Sequence, residues 1–548
     1  MSIDTIIGLD VSRANQPADV LIIGAGASGG VVARRLAEAG MRVVCLEQGE
    51  WHDRSEYRGA ELDWELTARQ QWSPSPNIRA LPEDYPVDDK RSDVSPLMFS
   101  GVGGSMLLFA GAWPRLLPSD FRVRSLDGVA DDWPLSYEEL RPYYERNDRQ
   151  IGVSGLGGDP AYPAGAEPPL PPLPIGAGGM KVARAHSRLG WHWWPEPNAI
   201  LSAAYQGRKP CVQRGTCMQG CGEGAKASTD LTHWPIAIKH GATLITGARV
   251  RRIETNPAGL ATGATWLDSD GREHFQAANA VVVAANGVGT PRLLLLSSSS
   301  KHPDGLANSS GLVGKRLMMH PFANVTGLFD DELESWQGHF GCSIESFEFY
   351  ETDERRGFVR GAKWGLAPTG GPVNAALPSR AGEQVWGADH HLHVRNRLGR
   401  GASWGLFGED LPDEQNHVKL SKTATDSSGL PAPELHYSVS ENSRRMLDFH
   451  IGKASESLVE AGAHTIEVDS LMRYSGWHLL GTARMGIDPS SSVVDKWNRA
   501  HDVANLYVVD GSCFVTSGGV NPTSTICALA LRSADRMVDT RHELPVVW

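Results

Sequence analysis

The residues of this chain best spaced for chemistry form a glycine turn, Gly24-Ala25-Gly26-Ala27-Ser28-Gly29. Gly24 permits the tight turn, Gly26 lets backbone amides approach a pyrophosphate, and Gly29 lets a helix pack closely on a strand. Glu47 stands at about the offset where an acid accepts hydrogen bonds from ribose hydroxyls. The implied chemistry is dinucleotide binding, with the amides and dipole of a helix N-terminus set against the pyrophosphate. By itself the motif leaves FAD and NAD both open.

The elements needed to hold that turn can be read on either side of it. Asp19–Ile23 is apolar enough for a buried parallel strand, Val31–Ala39 is helical, and Arg42–Glu47 is a second strand ending in an acid. Further on, Leu135–Tyr144 reads as a helix starting near Ser136, with Glu138 and Glu139 in its first turn. Gly155–Gly179 is rich in proline and glycine and is expected to be neither helix nor central strand. It is either a surface connection or a loop bordering the site entrance. Val418-Lys419-Leu420 alternates, and Glu434–Val439 follows the turn-rich Ser427–Pro433, which are antiparallel-strand signals. Ser440–Ala461 returns to helical periodicity. The expected class is α/β, a nucleotide-binding part interrupted by a mainly sheet-based second part.

Bulk properties narrow the partners. The chain has 548 residues, 52 Lys and Arg against 64 Asp and Glu, and a formal charge of −12, so its surface repels phosphate backbones and nucleic acid is not an expected partner. The most apolar run, around Val281–Leu296, is broken by Asn286, Gly287, Pro291 and Arg292, so no membrane span is expected. Met1-Ser2-Ile3-Asp4 does not begin a secretory signal, which makes the cytoplasm the expected location, with export beside a signal-bearing partner left open. Seven scattered cysteines make no disulfide framework.

Several segments taken together resemble the glucose–methanol–choline (GMC) family of FAD-dependent oxidoreductases. They are Gly101-Val102-Gly103-Gly104-Ser105 with Gly111 and Arg115, Asn286–Pro291 followed by leucines, His478 ahead of Gly481-Thr482, and Val509–Ser512 followed by Asn521-Pro522-Thr523. The likeness covers nearly the whole chain and is weakest at about 330–410. It implies a Rossmann-like FAD-binding domain with an inserted α+β substrate domain built on an antiparallel sheet. The FAD-binding parts would be 1–150, 205–325 and 471–548. A connection with part of the substrate domain would span 151–204, and the substrate-binding domain 326–470. FAD would be held by Gly24, Gly26, Ala27, Ser28, Gly29, Glu47, Gly101, Gly103, Gly104, Ser105, Leu108, Ala110, Val250, Asp510, Gly511, Asn521, Pro522 and Thr523. Some relatives bind flavin covalently through a histidine near the first signature. Here Met106-Leu107-Leu108-Phe109 offers none, so the flavin is expected to be non-covalent.

The resemblance also implies the chemistry: an alcohol oxidised to the carbonyl by hydride transfer to flavin N5. A base of near-neutral pKa must take the hydroxyl proton and a donor must hold the oxygen. His478 takes the first role by resemblance and Asn521 the second. Cys211, Cys217 and Cys221 are spaced as in sugar dehydrogenases of the family that carry an iron–sulfur cluster. The preferred reading is that they are small buried residues in a turn, as in family members without iron, with the cluster as the alternative. A zinc site would need a fourth ligand, for which His233 is only a distant candidate.

Trp191, Trp193, Trp194, Trp386, Trp404 and Trp477 could stack on a sugar ring or an aromatic aglycone, although core packing would also employ them. Asp389, His390, His391, His393, Arg395 and Asn396 could bond hydroxyls. The expected substrate is therefore a sugar or glycoside, with an aromatic, aliphatic or sterol alcohol as the alternative; for a sterol or terpene alcohol those polar residues should face away from the site. The electron acceptor, oxygen or an external one, is not fixed by the residues. The rival classes are an FAD-containing hydroxynitrile lyase and a non-catalytic flavin-binding protein.

Overall fold

The computed structural model describes residues 16–61, 63–377 and 386–547, so the N-terminus read for a leader lies outside the described residues. The glycine turn leaves the end of β1 (Ala18–Ile23), which pairs in parallel with β2 (Val43–Leu46) on one side and β8 (Glu273–Val283) on the other. β5 (Thr243–Ile245) extends the sheet beyond β2, and β16 (Leu506–Val508) extends it beyond β8, both in parallel. β1, β2, β16 and the C-terminal half of β8 are buried on both faces, which is why their sequences are continuously apolar rather than alternating. The sequential order reverses between β1 and β8. That opens a crevice at the strand ends, where open α/β sheets bind ligands.

β8 serves two sheets' worth of pairing. Its C-terminal half joins the parallel strands, while its N-terminal half runs antiparallel to β7 (Ala261–Leu267), which pairs with β6 (Arg249–Thr255). Helix α1 (Ala27–Glu38) turns Val31, Val32 and Leu36 onto Val20 and Ile22, and α7 (Thr523–Asp539) adds Leu531, Ala534 and Met537 to that cluster. On the opposite side α2 (Tyr137–Ile151) contributes Tyr137, Leu140 and Tyr144. Its start is the one expected: Ser136 Oγ accepts from the Glu139 amide at 3.3 Å, and the Glu139 carboxylate accepts from the Ser136 amide at 2.9 Å. The helix runs on past Tyr144 to Ile151 in spite of Pro142.

A second, antiparallel sheet has the order β15 (Thr465–Asp469), β9 (Phe322–Leu328), β12 (Gly401–Gly408), β11 (Ala362–Ala367), β10 (Ile344–Ser346), β4 (Trp194–Pro195). Strand alternation divides its faces. Val325, Trp364, Leu366, Trp404 and Leu406 pack beneath α3 (Gly176–Leu189) and α6 (Glu441–Glu460), while Phe322, Asn324, Gly365, Ser403, Gly405 and Phe407 face a cavity.

β13 (His417–Thr425) and β14 (Pro431–Tyr437) pair antiparallel as read, and join β3 (Asp88–Ser92) in a three-stranded sheet of their own. One expectation needs correcting. The proline-rich stretch 155–179 is irregular only up to Ile175. α3 begins at Gly176, beyond the last proline, so its final four residues are helical.

Candidate active site

A cavity of about 500 Å³ runs from the ends of β1 and β2 to the inner face of the antiparallel sheet. Of the residues expected at a cofactor, Gly24, Gly26, Ala27, Ser28, Glu47, Gly104, Ser105, Leu108, Ala110, Val250, Asp510, Gly511, Asn521, Pro522 and Thr523 line it. Gly29, Gly101 and Gly103 do not; they are packing positions behind the wall. A Cβ on Gly29 would lie 2.0 Å from Gly24 O, so only glycine lets α1 start so close to β1. Gly24 itself has φ +102°, and a Cβ there would meet Ala284 O at 2.4 Å. A Cβ on Gly104 would come within 2.8 Å of Gly26 Cα, so the two glycine loops touch backbone to backbone.

The polar groups of this half suit a dinucleotide. No side chain caps the N-terminus of α1, which leaves its first amides facing the cavity wall formed by Ala27 and Ser28. The Glu47 carboxylate accepts from the amides of Ala25 at 2.7 Å and Gly49 at 2.9 Å, which fixes it at the end of β2. Burial pushes its pKa up to about 7, partly opposed by those amides. The buried Asp510 carboxylate is oriented by the Ser512 amide at 2.9 Å and by the hydroxyls of Ser512 and Thr290, both at 2.5 Å.

At the other end the two residues expected to do chemistry meet partners that the sequence did not suggest. Met318 and Leu480 exchange backbone hydrogen bonds at 3.1 Å as an antiparallel bridge. Two residues further along each strand, that register sets His320 opposite His478. Their Nδ1 atoms are 2.7 Å apart. His320 Nε2 faces Gly518 O, which can only accept, so Nε2 carries the proton. Burial holds the His320 pKa down to about 4, so the ring is neutral and its Nδ1 is a bare acceptor. His478 Nδ1 must then be the donor, which leaves the lone pair on His478 Nε2. Burial, followed by the nearby His320 and Lys363, keeps the His478 pKa well below the usual histidine range.

Asn521 is oriented in a matching way. The Lys363 ammonium donates to Asn521 Oδ1 at 2.9 Å, so the Asn521 amide must turn its NH2 away, toward the cavity it lines. Lys363 is fully buried between Glu196, with which it is hydrogen-bonded, and Glu345 at 3.8 Å. Burial opposes its charge, and the two carboxylates hold its pKa above the ordinary value all the same. The backbone ties this corner together: Lys363 N donates to Gly519 O at 3.1 Å, and Gly519 N to Tyr350 Oη at 2.7 Å. His320, Lys363, Glu196 and Glu345 were all missed from the sequence, where no local pattern separates them from other polar residues in strands and loops.

Family models described as GMC oxidoreductase match residues 185–322 and 412–530, and a model described as an NAD(P)-binding Rossmann-like domain matches 22–83. The chain is 44% identical to the 2-methyl-1,2-propanediol dehydrogenase of Mycolicibacterium austroafricanum, over 94% of each. It is 32% identical to the fructose dehydrogenase large subunit of Gluconobacter japonicus, over 96% of this chain and 99% of that one. The chain belongs to the GMC oxidoreductase family. It is an FAD-dependent alcohol oxidoreductase. The fold agrees: the crystal structure of pyridoxine 4-oxidase from Mesorbium loti superposes with a TM-score of 0.66 at 18% identity, covering 95% of this chain and 99% of that one. No helix among the described residues is long and apolar enough to cross a membrane.

Within this GMC oxidoreductase the geometry of the cysteine trio does not support the iron–sulfur site that its spacing allowed. Among the described residues no three His, Cys, Asp or Glu side chains are gathered to hold a metal. Cys211, Cys217 and Cys221 are free, and their sulfurs accept instead from the amides of Gln213 at 3.4 Å, Phe340 at 3.4 Å and Lys226 at 3.5 Å. Burial pushes the Cys217 thiol up to about 12. Lys226, in the same turn, donates to the carbonyls of Met106, Leu107 and Phe109 at 2.9 Å each and so fixes a loop that lines the cavity.

The residues expected to recognise a sugar also lie elsewhere. Of the six tryptophans only Trp477 lines the cavity. Trp191, Trp193 and Trp404 pack in the layer between the antiparallel sheet and its helices, Trp194 donates to Leu156 O at 2.8 Å, and Trp386 is exposed. Asp389, His390, His391, His393, Arg395 and Asn396 sit on α5 (Ala388–Arg397), away from the cavity lining. Arg115 is turned from the cavity too and pairs with Asp148 at 2.6 Å.

Proposed function

We propose that this GMC oxidoreductase oxidises a compact alcohol with an aliphatic body to its carbonyl, with His478 as base and Asn521 as the donor to the substrate oxygen. One observation carries the reading. Two separate hydrogen-bond chains leave a lone pair at His478 Nε2 and an NH2 at Asn521 Nδ2, both on residues lining one cavity. An alcohol needs that pair: an acceptor for its proton and a donor for the charge that develops on oxygen. The neutral ring of His478 is ready to take the proton, and the imidazolium so formed keeps its donation to His320. Bound FAD supplies the two-electron acceptor for the carbinol hydride. The turn from Gly24 to Ser28, Glu47, Asp510 and the loop from Gly104 to Ala110 would hold it without a covalent link, since Met106–Phe109 contains no histidine.

The substrate class is supported by the walls. Phe407 lies 6.0 Å from His478 and Phe322 5.4 Å from Trp477, and the cavity lining also includes Phe109, Phe340 and Met472, which suit methyl and methylene groups better than a ring of hydroxyls. Division into a flavin unit (1–150, 205–325, 471–548) and a substrate unit (151–204, 326–470) is supported by β1, β2, β5, β8 and β16 of the parallel sheet falling in the first. β4, β10, β11, β12 and β15 fall in the second, and β9 straddles the boundary at 325. The test is anaerobic bleaching of the bound flavin against a panel of aliphatic alcohols, sugars and aromatic alcohols, followed by readmission of oxygen. The His478→Ala variant should retain FAD yet reduce it about a hundred- to ten-thousand-fold more slowly. An unchanged reduction rate would refute the assignment.

A further inference from the structure

The cavity wall formed by β9 and β12 carries polar groups that the chemistry at His478 and Asn521 does not use. Asn324 and Ser403 both line the cavity, on a face otherwise made of Phe322, Gly365, Ala367, Gly405 and Phe407. Ser403 Oγ donates to Asn324 Oδ1 at 2.8 Å, and Thr326 Oγ1 lies 2.8 Å from Ser403 Oγ on its other side. With its hydroxyl proton given to Asn324, Ser403 is left to accept from Thr326, and the chain runs one way. Asn324 Oδ1 is occupied, so its NH2 is the end presented to the cavity.

Position along the sheet gives the spacing. Phe322 pairs with Phe407, and Asn324 with Gly405. The Phe407 ring is 6.0 Å from that of His478, and Phe322 is 5.4 Å from Trp477. Asn324 therefore stands one strand repeat, about 7 Å, beyond the aromatic pair beside His478. The Asn324 amide and the His478–Asn521 pair therefore line neighbouring stretches of one cavity, so a single substrate can meet them with two oxygens. Gly405 and Gly365 keep the intervening wall free of side chains: a Cβ on Gly405 would press on Phe322 at 2.8 Å, and one on Gly365 on Cys342 Sγ at 2.6 Å.

We propose that Asn324, oriented by Ser403 and Thr326, is a specificity residue that binds the second hydroxyl of a diol while the first is oxidised at His478 and Asn521. This rests on the reading of His478 and Asn521 given above. The test compares 1,2-propanediol with 1-propanol, which share a carbon skeleton, as reductants of the flavin-loaded enzyme. Wild type should favour the diol in kcat/KM by about ten-fold or more, as expected where a buried donor is left unpaired by the lesser substrate. Asn324→Leu should lower that diol-to-monool ratio about ten-fold. Ser403→Ala, which frees the amide to turn over, should lower it by a smaller factor, with the flavin spectrum and Tm of each variant confirming its fold. An Asn324→Leu ratio equal to that of wild type overturns the proposal, as does a wild type that does not prefer the diol. Failure of the alcohol reading is distinct: it would show as His478→Ala being reduced as fast as wild type by any member of the broader panel.

Discussion

Replacing His320 by alanine probes the hydrogen-bond chain that sets the tautomer of His478. In the native chain Gly518 O fixes the proton of His320 on Nε2, and His320 Nδ1 then fixes that of His478 on Nδ1. Without His320, the buried Nδ1–H of His478 has no acceptor, a loss of about 1–3 kcal/mol for that tautomer. The ring then gains by moving its proton to Nε2, where it can no longer accept one from substrate. At about 1.4 kcal/mol per factor of ten, flavin reduction should slow about five- to 150-fold. That is less than for loss of His478 itself, because a fraction of rings still presents the correct tautomer. The His320→Gln variant offers a carbonyl to His478 and an NH2 to Gly518 O, and should recover most of the rate. Anaerobic stopped-flow measurement of the first reduction, with Tm to follow the packing loss, reads both variants. A His320→Ala enzyme reduced at the wild-type rate would refute the reasoning. So would a glutamine variant that folds normally yet is as slow as alanine.

Other expectations follow from neighbouring groups. The depressed pKa of His478 means that the base stays unprotonated as pH falls past the ordinary histidine value. kcat/KM should therefore stay level from about pH 8 to below pH 6.5 and decline only as pH drops through the lowered value; a half-loss near pH 6.5 would contradict this. Lys363→Met removes the donor that orients Asn521 and strands two buried carboxylates, so both kcat and Tm should fall. Adding Glu196→Gln should restore much of the Tm but not of kcat, since it relieves the charge without re-orienting Asn521. Gly29→Ala should yield protein that purifies with little flavin or unfolds early, because its Cβ has no room beside Gly24 O; the flavin-to-protein absorbance ratio measures this.

What could be read beforehand was what local sequence encodes. The glycine turn, its flanking strands and Glu47 form one contiguous unit, and the cap at Ser136 is written in four residues. His478 and Asn521 came from resemblance to other chains, and the structure brings both to one cavity. The substrate wall was not legible, because Asn324, Gly365, Ser403 and Phe407 come from three strands whose register no local pattern gives. His320 was hidden for the same reason: only its bridge to the 478 segment makes it more than one histidine among nineteen. The tryptophans misled, since abundance says nothing of which face a strand turns inward. Trp364 and Trp404 point into the helical layer while Gly365 and Gly405, one residue on, face the cavity.

The way α1 is covered has a consequence for biosynthesis. Its Arg35 pairs with Asp535 of α7, 500 residues later in the chain, and β1 waits for β8, whose other edge waits for β16. At about 5–20 residues per second the ribosome needs roughly half a minute to a minute and a half to make that stretch. For all of that time the nucleotide fold is an unfinished half-shell with apolar strands in water. Cofactor loading is thus the closing act of synthesis rather than its nucleus. Nascent chains halted before β16 should carry no flavin however much is supplied, and chaperone holding should govern yield before cofactor supply does.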